Sequence, residues 1–239
     1  MKKISWVQLC FTFVGVFLGA GFVSGQELWK FFACFGAAGL AGFLVSAGIM
    51  TAAHGALLGL VRSTGEARIG FLMTRGDSSL LRTALLALQY LFLFGVVVIM
   101  IAGAAESLSG LTGLSTILLG AIVTLVIFVL ALCGLQSLVA SFSALVPVIT
   151  VCAVIIAGVV ISGGKGQTAE FAPEASLLRP NWYVSAATYA AYNLFGSLTT
   201  MIPLAEHIPD GKTLRKGLLS GNVVLLLIAM SMIAAMLVC

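Results

Sequence analysis

Seven apolar stretches, each about as long as a bilayer is thick, constrain this chain more than any motif does. They run approximately 6–33, 37–61, 83–105, 115–134, 140–162, 184–206 and 217–239. A helix needs about 20 apolar residues to cross roughly 30 Å of hydrocarbon. The runs are continuously apolar and lack the two-residue alternation of a membrane barrel strand. The expected fold is therefore all-α, a polytopic transmembrane helix bundle forming one integral membrane domain over 1–239. Composition closes the alternatives. With 61% hydrophobic and 8% charged residues, the chain falls far below the roughly 25% charge of a soluble domain, and disorder or collagen-like repeats fail on the same ground. The lipid bilayer is the first expected partner. The net charge of +4 is too thinly spread to point to nucleic acid.

Basic residues set the expected orientation. Lys2 and Lys3 precede the first span, Arg62, Arg68, Arg75 and Arg82 follow the second, and Lys212, Arg215 and Lys216 lie between the sixth and seventh. A cytoplasmic N-terminus puts these nine inside and leaves Lys30, Lys165 and Arg179 outside. The expected location is the cell membrane, multi-pass. Met1-Lys2-Lys3 before an apolar run also has the form of a secretory leader, but the run is long and leads into further aromatic sequence, so it reads as a retained span. Residues 62–82 read as a solvated cytoplasmic connection. Residues 163–183, with Pro173, Pro180 and Trp182, read as an external connector or cap. The cysteines, Cys10, Cys34, Cys133, Cys152 and Cys239, are scattered singly and suggest neither disulfides nor a metal site.

The first span carries the strongest functional signal. It reads Phe17-Leu18-Gly19-Ala20-Gly21-Phe22-Val23-Ser24-Gly25-Gln26-Glu27-Leu28-Trp29-Lys30. Each glycine lowers helix propensity by about 1 kcal/mol relative to alanine, and three fall within seven residues. Ser24, Gln26 and Glu27 follow inside a segment still needed for the crossing. Backbone freed in hydrocarbon is tolerated only where protein, water or ligand satisfies it, so a break here would offer carbonyls to a cation and N–H groups to an anion. The competing explanation is close helix packing through Gly15/Gly19 and Gly21/Gly25, both at GxxxG spacing. Packing alone does not require Glu27, which also stands at i,i+3 from Lys30.

The sixth span repeats the pattern. Tyr192, Asn193, Gly196, Ser197, Thr199 and Thr200 crowd its middle, Pro203 removes a backbone donor, and Glu206 follows. Two breaks five spans apart suggest an inverted repeat with discontinuous helices around a midplane site. The first repeat would occupy 1–162 and a partial second 184–239. The expected substrate contacts are Gly19, Ala20, Gly21, Phe22, Ser24, Gly25, Tyr192, Asn193, Gly196, Ser197, Thr199 and Thr200. Gln26, Glu27 and Glu206 are expected to couple an ion or gate access. His54 reads more readily as a packed histidine than as a proton carrier. Gln89 and Tyr90 are expected to line a cavity, Glu106 to be solvated, and Pro147 to kink the fifth span. Tyr189 is either a core aromatic or a substrate contact.

The stretch from Gly19 to Phe32 resembles the first-helix signature of the YkvI family of bacterial membrane proteins, which is similar to the amino acid–polyamine–organocation superfamily with the LeuT-type fold. The resemblance extends to the basic loop after span two, Tyr192-Asn193 in span six and the basic turn before span seven. It implies ten core helices as five plus five inverted, of which this chain supplies five plus two. It also implies that three helices are missing after Cys239, among them the eighth, which completes a cation site in sodium-coupled relatives. The implied function is secondary active transport of a small solute such as an amino acid or related amine, coupled to Na⁺ or H⁺, by the whole protein or a fragment of it. The alternative is a non-transporting sensor or receptor subunit on the same scaffold. An enzyme is not expected: no nucleophile has a base in sequence reach, and neither an HExxH nor a P-loop pattern occurs. Accordingly no catalytic residue, metal ligand or cofactor is assigned beyond the coupling ion.

Overall fold

The computed structural model describes residues 3–68, 70, 79–163 and 180–238, with the side chain of Ala20 excluded. Among these residues all regular structure is helical. Lys2, Arg75, Lys165, Arg179, Pro173, Cys239 and most of the expected external cap lie outside them.

The first span is built from α1 (Trp6–Phe17), α2 (Ala20–Val23) and α3 (Gln26–Phe31), closed by a 3₁₀ turn at Ala33–Phe35. Then follow α4 (Ala37–Thr64), α5 (Ser79–Thr112), α6 (Thr116–Leu132), α7 (Gly134–Gly163), α8 (Trp182–Leu204), a 3₁₀ turn at Ala205–His207 and α9 (Gly211–Val238). Among the described helices, α4, α5, α7 and α9 are each long and apolar enough to cross a membrane. The chain is therefore a multi-pass helical membrane protein.

Local chemistry explains the starts. Ser5 and Gln8 form a reciprocal cap at α1, with Ser5 N–H donating to Gln8 Oε1 at 2.9 Å and Gln8 N–H to Ser5 Oγ at 3.2 Å. Asn181 Oδ1 accepts from Val184 N–H at 3.1 Å at the head of α8. Asp210 Oδ1 accepts from Thr213 N–H at 2.6 Å before α9, and these backbone and hydroxyl bonds from Thr213 hold its carboxyl below its ordinary range.

Five elements make the centre. α1 lies against α9 and α7, and α4 packs on α8 and α9. Close approach of α1 and α9 depends on small residues: a Cβ at Gly217 would fall 2.6 Å from Leu9 Cδ2, and one at Gly221 2.8 Å from Phe13 Cδ1. Gly15 faces the Phe142 ring of α7 in the same way, so the packing explanation holds for that glycine. The hairpin α5–α6 lies at the side. α5 buries only Gln89 and Ala105, while Leu91, Phe94, Ile117 and Phe128 of the pair face outward.

The sixth span differs from the sequence expectation. α8 is one continuous helix through Asn193, Gly196, Ser197, Thr199 and Thr200, so the expected second discontinuous helix is not present. Its polar side chains turn back on their own turn: Asn193 Nδ2 donates to Tyr189 O at 3.0 Å and Ser197 Oγ to Leu194 O at 2.9 Å. Pro203 sits one residue from the end, where it withholds the N–H that Thr199 O would otherwise accept and the helix tightens into the 3₁₀ turn. α7 likewise runs as α-helix past Pro147.

Candidate functional site

The first span is cut where its glycines stand. α1 stops at Leu18, whose ψ of 72° leaves the helical region, and Gly19 N–H donates to Phe17 O at 2.9 Å in a tight turn. One helical turn follows, with Val23 N–H on Gly19 O at 2.9 Å. The second cut is Gly25, with φ +80° and its N–H on Phe22 O at 3.0 Å. This is left-handed backbone that a side chain strains. Glu27, at the start of α3, folds back over the cut, so that a Cβ on Gly21 would fall 2.5 Å from Glu27 Oε1.

The half-buried Glu27 carboxyl faces α8 across a small cavity of about 90 Å³. Gly19 and Phe17 line it from the first span, Asn193, Gly196 and Ser197 from α8, and Phe92 and Met100 from α5. Beside it, a cavity of about 700 Å³ lies between the first span, α5 and α8. Gly21, Ser24, Gln26, Lys30 and Phe31 line it from the first span, with Glu106 at the far end of α5. Glu27, Phe92, Met100 and Tyr192 border both. Tyr192 meets Phe92 edge to face at a centroid distance of 5.7 Å. The larger cavity thus carries two carboxylates and one ammonium among mostly apolar and aromatic walls.

Nine of the expected site residues converge on these two spaces: Gly19, Gly21, Ser24, Gln26, Glu27, Tyr192, Asn193, Gly196 and Ser197. The others sit elsewhere. Phe22 is buried and packs edge-on to Phe43. Gly25 backs onto Met236 of α9. Thr199 and Thr200 line neither cavity, and Glu206 is exposed in the 3₁₀ turn after α8. Ala20 contributes helical backbone in α2. Tyr189 belongs to an aromatic cluster with Phe31, Phe32 and Phe43. Gln89 is buried, but it ties α5 to α8 through Nε2 donating to Phe195 O at 2.6 Å, and Tyr90 faces outward. Glu106 is exposed as expected and also borders the larger cavity.

The α5 wall was not foreseen, because Phe92 and Met100 look like any other apolar residue of that span. His54 is packed, as its sequence suggests, but its partner was not foreseen. Its side chain is fully buried, with Nδ1 2.7 Å from Met50 O and Nε2 2.8 Å from Ser197 Oγ, on the α8 face that lines the small cavity. The two residues are 143 apart in sequence, and no local signal pairs them.

The chain is 28% identical over 235 residues to a protein of Bacillus subtilis (strain 168) described as "Uncharacterized membrane protein YkvI", covering 95% of this chain and 65% of that protein. The chain thus spans about 65% of the length of the relative it matches. No family model matches the chain. No solved structure matches it.

Proposed function

We propose that this YkvI-like membrane protein is a secondary active transporter, or a fragment of one, for a small organic solute such as an amino acid or related amine, coupled to Na⁺ or H⁺. The observation that carries this reading is the position of Glu27. Its carboxylate folds over the cut in the first span and shares one cavity with Asn193, Gly196 and Ser197 of α8. A half-buried carboxylate beside the rings of Phe31, Phe92 and Tyr192 suits an ammonium group, through charge and through ring faces. The arrangement of a cut first span packed among α4, α7, α8 and α9 is in keeping with a LeuT-type bundle. Because α8 is unbroken, its share of the binding would come from side chains and not from freed carbonyls.

In this reading the N-terminus is cytoplasmic and the cavities open toward the outer face. The basic ends of α4 and α9 meet on one side, where Arg62 Nη2 donates to Pro209 O at 3.4 Å, in keeping with the positive-inside rule.

The test is uptake by proteoliposomes of a panel of amino acids and simple amines. Gly21→Leu places a branched side chain into the Glu27 carboxyl and should abolish uptake while expression and folding persist. Full retained uptake in that variant sinks the site. Glu27→Gln should cost at least about tenfold in affinity for cationic solutes, the low end of the loss expected when a partly desolvated charge partner is removed. Binding without accumulation would favour the sensor reading.

A further inference from the structure

We infer that His54 and Ser197 form a proton-binding site whose charge state is read in the cavity beneath Glu27. The inference rests on the transport reading for its consequence, but not for its chemistry. Met50 O is a carbonyl and can only accept, so the 2.7 Å contact requires His54 Nδ1 to carry a hydrogen. The Ser197 hydroxyl has one hydrogen and two partners, His54 Nε2 at 2.8 Å and Leu194 O at 2.9 Å. It can donate to one at a time.

Two states satisfy these contacts. With His54 neutral, Nε2 is bare and Ser197 donates to it. With His54 protonated, Nε2–H donates to Ser197 Oγ and the hydroxyl turns its hydrogen to Leu194 O. Each state keeps the ring fully hydrogen-bonded in a site closed to solvent, and moving between them takes one hydroxyl rotation and one proton. A purely structural histidine needs a partner for one protonation state; this one has partners for both. Histidine is the side chain suited to such exchange between about pH 5 and 8.

The ring is otherwise enclosed by Phe13 and Phe17 of α1, both edge-on, at centroid distances of 5.5 and 5.7 Å. Of the titratable groups on its own helix and the elements packed around it, α4 carries Arg62 in its last turn, α1 carries Cys10, the 3₁₀ turn before α4 carries Cys34, α8 carries Tyr189 and Tyr192, the 3₁₀ turn after α8 carries Glu206 and His207, and α9 carries Lys212, Arg215 and Lys216 near its start. The group that shares a space with Ser197 is Glu27. A positive His54 behind the Ser197 wall therefore opposes a cation held by Glu27. Proton and organic cation compete, which is the linkage an exchanger requires, and the competition is reciprocal.

The chain contains two histidines, so His207→Gln leaves His54 as the sole imidazole signal. That variant, with ring-¹⁵N histidine in lipid nanodiscs, is titrated by NMR from about pH 8 to 5, the range in which histidine exchanges. The expected result is the Nδ1–H tautomer at high pH and reversible protonation of Nε2 on acidification, with the protein still folded. An Nε2–H tautomer at high pH, or no protonation over that range, overturns the proposal. The second arm measures choline binding, since choline keeps its charge and does not cross lipid as a free base. Affinity should fall by about fivefold or more between the same two pH values, the lower end of common coupling strengths. His54→Gln should shrink that ratio to the part Glu27 carries; a ratio equal to that of the wild type refutes the coupling. Absence of choline binding at every pH counts against the amine reading of the cavity, and the NMR titration then decides the proton site by itself.

Discussion

Replacing Gly25 with alanine should reveal how strongly the fold insists on the second cut in the first span. Two costs add there. A side chain at φ +80° carries the left-handed penalty of about 1–2 kcal/mol. Its Cβ also collides with Met236 Cε, and overpacking a filled site costs about 1–3 kcal/mol. The sum is about 2–5 kcal/mol. Gly65 provides the control, because it has φ +70° and open space around its missing Cβ, so Gly65→Ala should lose only the backbone share of about 1–2 kcal/mol. The assay is reversible unfolding in lipid nanodiscs, followed by tryptophan fluorescence. The collision lies with the far end of a flexible side chain, so Met236→Ala in the Gly25→Ala background should return the overpacking share, and the double-mutant cycle should show favourable coupling. Equal losses for Gly25→Ala and Gly65→Ala, with no coupling to Met236, would refute the claim that α9 packs against the cut.

Other outcomes follow from single contacts. Gly217→Val should cost about 1–3 kcal/mol by forcing α1 from α9, and Leu9→Ala should relieve part of it; an additive pair would mean the helices do not meet there. Glu66 is partly exposed and receives two bonds of 2.7 Å from the Arg68 guanidinium, which lowers its pKa to about 2. Because its folded pKa lies below the ordinary value, whatever stability the pair adds is complete above about pH 4.3 and is lost as pH falls toward about 2. Carboxyl NMR should therefore find Glu66 ionised at about pH 3.5, and a midpoint in the ordinary glutamate range would remove the pair.

The helices were legible because hydrocarbon leaves the backbone few choices, and an apolar run of bilayer length says helix almost regardless of detail. The cut in the first span was legible as well, since Gly19, Gly21 and Gly25 remove propensity just where Ser24, Gln26 and Glu27 arrive. Applied to the sixth span, the same reasoning failed for a physical reason. Asn193 and Ser197 found backbone acceptors within their own helix, so their polarity was satisfied without unwinding. Thr51, Thr124 and Thr150 do likewise, each donating to the carbonyl four residues back. Glycine removes helix preference, whereas a hydroxyl or amide merely asks for a partner, and the two signals deserve different weights. The α5 wall and the His54–Ser197 pair depend on which helix faces which, and periodicity does not carry that.

One consequence of the cut first span concerns mechanics. The first length, α1, is keyed into α9 at Gly217 and Gly221 and set against Phe142 of α7. The second length, α3, ends on α8, where Ser185 Oγ donates to Phe31 O at 2.6 Å and Tyr189 meets Phe31 and Phe32 edge to face. Gly25 at the cut also abuts Met236 of α9, so the stretch is like a rod sawn through, with one length bolted to α9 and α7 and the other reaching both α8 and α9. Relative travel of α8 and α9 would load the joint at Gly19 and Gly25, which Glu27 overhangs at the edge of both cavities.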